Sequence, residues 1–160
     1  MFDDATIVAI ATANGIGSIS IVRISGPKAH EIASKISQKN AFQPRLATLS
    51  YLYDTNKNLI DEALVLYFKA PFSFTGEDVI EFQCHGGFAI ANMIVDEVLK
   101  QGARLANPGE FSKRAFFNNK IDLTKAEAIA KIIEARSEDA VKLLARQLKG
   151  ELTTFVNDIR

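Results

Sequence analysis

Phe74-Thr75-Gly76-Glu77-Asp78-Val79-Ile80-Glu81-Phe82-Gln83-Cys84-His85-Gly86-Gly87 runs from a glycine-bearing loop through an alternating segment to a glycine pair. Within Asp78–Cys84, Val79, Glu81 and Gln83 fall on one side and Ile80, Phe82 and Cys84 on the other, the period of a β-strand. The second side is wholly apolar and suits a core. The first carries a carboxylate, which an apolar interior would tolerate only with a partner. Gly86-Gly87 breaks the strand, and the spacing after it predicts a helix to about Gln101, stopped by Gly102.

The neighbouring segments read in the same way. Thr6–Thr12 is a β-branched run that predicts a buried strand. After the loop Ala13-Asn14-Gly15-Ile16-Gly17, Ser18–Ser25 alternates again, with Arg23 near its end, and the two strands are expected to form a hairpin. Gly26-Pro27 ends the second strand and Pro27 opens a helix to about Ser37, with Ala29, Ile32, Ala33 and Ile36 on one face. Ala47–Tyr53 and Ala63–Phe68 are strands around the turn Asp54–Asn58, and Arg104–Ala106 is a last short strand. Beyond it the texture changes. Pro108–Phe117 reads as a short helix and everything after Asp122 as helical, with a capping box at Thr124–Glu127 and a second helix start at Ser137-Glu138-Asp139. Val141, Leu144, Leu148, Leu152, Phe155 and Ile159 then form an apolar stripe that must pack on something. The helix meets no stop signal before Arg160, as expected of a piece of a longer protein. The expected fold class is α+β: a mixed-sheet domain over 1–118, followed by the first helices of an all-α domain over 119–160.

Composition sets outer limits. Hydrophobic residues are 48% and charged residues 24% of the 160, an ordinary globular balance. No apolar run approaches the roughly 18 residues a membrane span needs, so no membrane association is expected. Two acids precede the first apolar run, the wrong sign for a secretory signal, and the reading is a soluble, unprocessed, cytoplasmic chain. The single cysteine, Cys84, has no partner for an internal disulfide. Net charge is zero, but residues 1–110 carry 9 Lys/Arg against 12 Asp/Glu and residues 111–160 carry 10 against 7.

Several apparent motifs fail on chemistry. Gly15-Ile16-Gly17 lacks the later glycine of a dinucleotide loop and joins two strands. Asn119-Lys120-Ile121-Asp122 matches the guanine-reading NKxD string, yet no GxxxxGK[ST] loop is present to cradle phosphates. Cys84 and His85 are adjacent in a strand, so their side chains diverge, and one Cys with two His offers no zinc spacing. Neither a catalytic residue nor a metal site is predicted. The informative groups are charges beside glycine-rich breaks. Glu81 needs a hydrogen-bond donor: an internal arginine, solvent, or a ligand with adjacent N–H groups such as a pterin edge. Arg23 and Lys120 are either surface charges or partners for the anionic and carbonyl groups of such a ligand.

Together these strings resemble one family. Phe74–Val79 continuing through Glu81 to His85-Gly86-Gly87 is similar to the FTGEDVxExxxHGG signature of the tRNA modification GTPases MnmE (TrmE). Pro108–Ser112 with Arg114-Ala115-Phe116 is similar to its PGEFSxRAF. Lys120–Leu123 with Ala126–Ile129 resembles KxDLxxAEAI, and Val22–Gly26 matches its early strand. The resemblance implies an N-terminal α+β domain like the tetrahydrofolate-binding domains of one-carbon enzymes, which forms a homodimer and binds 5-formyl-tetrahydrofolate. It also implies a helical domain into which a potassium-dependent GTPase domain is inserted. The full protein works with the FAD-dependent partner MnmG on C5 of the wobble uridine of tRNA. The folate-contacting residues of the family fall on Arg23, Glu81 and Lys120. Departures are the Ala13–Gly17 loop, which is often richer in proline and glycine, and Cys84, where relatives commonly have glycine. With no phosphate loop, switch motifs or C-terminal reactive cysteine motif, the chain is not expected to hydrolyse GTP or to modify tRNA unaided. Two other readings remain open at this level: an RNA-binding module using the basic segment after Phe111, and a purely structural dimerisation module.

Overall fold

The computed structural model describes residues 3–11, 19–85 and 87–159, the side chains at 140, 144, 147, 148 and 151–159 excepted. The Ala13–Gly17 loop, Gly86 and most of the predicted C-terminal stripe lie outside the described residues. In chain order the elements are β1 (Ile7–Ile10), β2 (Ile19–Ser25), α1 (Ala29–Ser37), β3 (Thr48–Tyr53), β4 (Leu59–Phe68), β5 (Val79–His85), α2 (Gly87–Lys100), β6 (Arg104–Leu105), α3 (Glu110–Phe117) and α4 (Leu123–Ile159). The described residues divide into two compact units between Lys120 and Ile121.

The first unit is a six-stranded sheet of order β3-β4-β5-β2-β1-β6. Neighbours pair antiparallel except β1 and β6, which are parallel, so the sheet is mixed and the class is α+β as expected. The predicted β1–β2 hairpin pairing is present, with Ile7 opposite Ser25 and Ile10 opposite Val22. The phase of β2 follows from Arg23. That side chain cannot enter an apolar core, so Ser20, Val22 and Ile24 turn inward while Ile19 is left 54% exposed. On β5 the inward residues are Ile80, Phe82 and Cys84. Ala29, Ile32, Ala33 and Ile36 of α1 and Ala91, Ile94 and Val98 of α2 join them in one core cluster. Burying these side chains stabilises the fold by roughly 1.5–3 kcal/mol for each large aliphatic residue.

The exit from β2 is pinned by Gly26. Its φ is +139° and a Cβ there would stand 2.6 Å from the Cα of Thr6, so only glycine fits. The Thr6 hydroxyl oxygen accepts the Lys28 N–H at 2.9 Å, supplying from the residue before β1 the cap that the start of α1 lacks.

The second unit corrects one expectation. Residues 123–159 form a single helix, not two, and Ser137-Glu138-Asp139 lies in its interior. Neither proline nor a run of turn residues interrupts the segment, and its Ala, Glu, Lys and Leu content favours uninterrupted helix. Nor is Thr124 the cap. Asp122 Oδ1 accepts the Lys125 N–H at 2.7 Å and the Asp122 carbonyl accepts the Ala126 N–H, which makes Asp122 the N-cap. A cap sequence acts only where the chain has not already begun to coil.

Within the first unit, the sheet is held to α3 by a chain of charges. Arg114 of α3 is 1% exposed. Its Nη1 donates to both Glu77 oxygens at 3.0 and 3.2 Å, and its Nη2 to Glu110 Oε2 at 3.2 Å. Glu110 also accepts from both Arg104 Nη atoms at 2.8 and 2.6 Å and from the Asn107 N–H. Glu77 accepts from Ser25 Oγ at 2.8 Å, and the Ser25 and Thr75 hydroxyls are 2.7 Å apart. Asn118 at the end of α3 donates to the Thr75 carbonyl, and Gly76 lies so close that a Cβ would come within 2.8 Å of the Asn118 Cβ. Glu77 belongs to the loop before β5, so two segments separated in sequence are clasped.

These contacts have measurable consequences. Asp122→Ala should destabilise α4 by about 1 kcal/mol and lower its helical circular dichroism, whereas Ser137→Ala should change stability by less than about 0.5 kcal/mol. The Arg104 hydrogen bonds hold the Glu110 carboxyl down to about 2 from its ordinary 4.5, against the opposing effect of burial. A depressed carboxyl contributes stability above its unfolded value and loses it as pH falls. Urea midpoints should therefore drop between pH 4.5 and about 2, and Glu110→Gln should flatten that fall while lowering stability at neutral pH.

Candidate functional site

Arg23 and Glu81 meet on the sheet face opposite α1 and α2. They are register partners on β2 and β5, and Glu81 Oε1 accepts from Arg23 Nη2 at 3.0 Å and Nε at 3.3 Å. Their side chains are 28% and 15% exposed, so the pair is half-buried. Both bonds converge on one carboxylate oxygen. Among the described residues, Glu81 Oε2 and Arg23 Nη1 have no hydrogen-bond partner, and the pair presents an acceptor and a donor to whatever approaches it. The internal arginine considered as a partner for Glu81 is thus real, but it satisfies only half of the carboxylate.

The guanidinium also stands beside two aromatic rings, 5.9 Å from the ring centroids of both Phe74 and Phe111, at the outer range of cation–π contact. Phe74 lies in the loop before β5 and is 42% exposed; Phe111 lies on α3 and is half-buried. Sequence reasoning did not single out either ring. Their signal, an aromatic residue beside the glycine-bearing or acidic turn of each signature string, acquires meaning only once Arg23 is seen between those segments in space.

Lys120 lies just beyond α3. Its N–H donates to the Ala115 carbonyl at 2.8 Å and its side chain is exposed. It makes no hydrogen bond or ion pair with Arg23 or Glu81. The structure therefore joins two of the three predicted site residues directly and leaves the third on the segment leaving α3. The adjoining NKID string serves as punctuation: Asn119 takes a left-handed φ of +59° and Asp122 caps α4.

The other groups raised by the sequence have structural uses. Cys84 is buried, its thiol donates to the Ser20 carbonyl at 3.2 Å, and burial pushes its pKa up to about 11. His85 faces outward, with its N–H on Asp61 Oδ2 at 2.7 Å and Nδ1 3.0 Å from the Glu62 carbonyl. The pair is not a thiolate–imidazole dyad. Among the described residues no three of His, Cys, Asp and Glu are grouped as metal ligands would be, and no helix is long and apolar enough to cross a membrane. A cleft of about 430 Å³ opens beside the charge chain, lined by Arg104, Glu110, Lys113 and Arg114 among others. Its arginines already face Asp3, Glu77 and Glu110, and neither Arg23, Glu81 nor Lys120 lines it.

Comparison with known proteins agrees with the strings quoted above. The profile described as GTP-binding protein TrmE N-terminus matches residues 6–120. The tRNA modification GTPase MnmE of Aliarcobacter butzleri is 81% identical over 160 residues, covering all of this chain and 36% of the relative. The MnmE of a Nitratiruptor species is 68% identical over 149 residues, 93% of this chain and 33% of the relative. That of Sulfurimonas denitrificans is 66% identical over 155 residues, 97% of this chain and 35% of the relative. The chain spans about a third of the length of these curated relatives. It belongs to the TrmE (MnmE) family of tRNA modification GTPases and carries that family's N-terminal domain.

Proposed function

We propose that this chain is the folate-binding, dimer-forming part of a cytoplasmic tRNA modification GTPase, with a folate and dimerisation domain over 1–118 and the beginning of a helical domain over 119–160. The ligand is 5-formyl-tetrahydrofolate, held by Arg23, Glu81 and Lys120. The longer protein, with GTP and potassium bound elsewhere in its chain, acts with the FAD-dependent partner MnmG on C5 of the wobble uridine of tRNA. The segment here lacks a phosphate loop and has no GTPase activity of its own.

The observation that carries this reading is the half-satisfied Arg23–Glu81 pair. The amino-pyrimidinone edge of a reduced pteridine offers N–H donors next to a carbonyl acceptor. Glu81 Oε2 can accept from the former and Arg23 Nη1 can donate to the latter, both as charge-assisted bonds. A flat ring beside Phe74 and Phe111 would exclude water from those bonds and strengthen them. Lys120, an exposed cation, suits a carboxylate of the glutamate tail.

Dimerisation is supported by the same face. Register places Ile19 and Ile21 of β2, Leu64 of β4, and Leu49 and Tyr51 of β3 on the side of the sheet opposite α1 and α2, next to the Arg23–Glu81 row. Ile19, Leu49, Tyr51 and Leu64 are 54%, 56%, 52% and 39% exposed. Exposed apolar side chains gathered on one face, here with Gln83 between Ile21 and Leu64, are costly in water and are relieved by a partner; a second copy is the occupant proposed.

Two measurements test the reading. Glu81→Gln should weaken 5-formyl-tetrahydrofolate binding by about 1–3 kcal/mol in calorimetry; an unchanged affinity removes Glu81 from the site. Leu49→Glu with Leu64→Glu should shift the sedimenting species from dimer toward monomer. A dimer that survives both changes places the interface elsewhere.

A further inference from the structure

On β2, Ser25 belongs to the buried charge chain and Arg23 to the ligand pair, two residues apart on the same face. The chain is also what holds the two rings beside Arg23. Phe74 is next to Thr75, whose hydroxyl meets Ser25 and whose carbonyl accepts from Asn118. Phe111 is adjacent to Glu110 and precedes Arg114 by less than one helical turn, and both charges are locked in the chain. Phe74 itself is 42% exposed and cannot be held by its own burial. The ion pair of Glu77 with Arg114, 14% and 2% exposed in their side chains, is the charged bridge between the loop carrying one ring and the helix carrying the other, beside the Asn118–Thr75 hydrogen bond.

We infer that Glu77 and Arg114 are positioning residues for the ligand site: their ion pair sets the separation of Phe74 and Phe111, and with it the gap into which a flat ligand ring enters beside Arg23. Neither residue touches the ligand. A buried pair of this kind is a weak source of net stability and a strong source of fixed geometry, because breaking either half leaves a buried charge while any other arrangement leaves two. The inference rests on the folate reading for the identity of the ligand, but the placement of both rings 5.9 Å from the Arg23 guanidinium exists without one.

The chain contains no tryptophan, so Phe74→Trp supplies a single tryptophan, excited selectively at the red edge away from the tyrosines, whose acrylamide quenching reports, without ligand, how firmly the loop is held. In that background Glu77→Gln, and more mildly Asn118→Ala, should raise the quenching constant, by about twofold for the former. In calorimetry with 5-formyl-tetrahydrofolate, Glu77→Gln should weaken binding about tenfold when Phe74 is present. In a Phe74→Ala background the loss should shrink to less than about twofold, because the two residues act through one geometry. Equal losses in both backgrounds, or quenching unchanged by either substitution, overturn the inference. If Glu77→Gln fails to fold, Asn118→Ala at its exposed position takes its place in both measurements. If the unsubstituted chain binds no folate, the ligand reading fails and the quenching result alone decides the positioning role.

Discussion

Arg114 is an arginine at 1% exposure, and an ionised guanidinium at that depth persists only where carboxylates meet it. Glu77 and Glu110 do so, one from the loop before β5 and one from the first turn of α3. Glu110 in turn holds Arg104 of β6 at the sheet edge, while Glu77 reaches Ser25 of β2. The requirement of one buried cation thus fastens a loop, a helix and two strands to one another. The arrangement is not fully closed: Arg114 Nε has no partner among the described residues. It is also the meeting place of the two signature strings, FTGEDV and PGEFSKRAF, which supply Glu77, Glu110 and Arg114.

The sheet that this clasp borders has two unlike faces. One is closed by α1 and α2 over an aliphatic core. The other carries Arg23 and Glu81 at intermediate depth and exposed apolar side chains at the surface. Half-burial suits a binding pair. A fully exposed ion pair is worth little and is easily displaced, whereas a fully buried one would be unreachable. At 28% and 15% exposure the pair is ordered by the strands beneath it, while among the described residues one oxygen and one nitrogen stay unpaired.

The family profile ends at Lys120, the residue at which the first compact unit also ends. Unit 1 therefore coincides closely with the N-terminal module of much longer relatives, and α4 lies outside that module. On that helix Ile132, Val141 and Leu143 are exposed.

The amino-acid order by itself determined the elements of unit 1 and the inward face of β5. Alternation and glycine breaks are local, and a strand's two faces differ in polarity wherever one is buried. It also determined that Glu81 needed a donor. Three things waited for the tertiary structure. The donor proved to be Arg23, because pairing β2 with β5 brings together residues 58 apart in sequence. The single helix α4 replaced two, because a capping motif cannot stop a helix already started at Asp122. And the clasp of Glu77, Arg114 and Glu110 was invisible, because a buried ion pair is a property of folding geometry: in sequence, its members are only surface-like charges in polar loops and on a short helix.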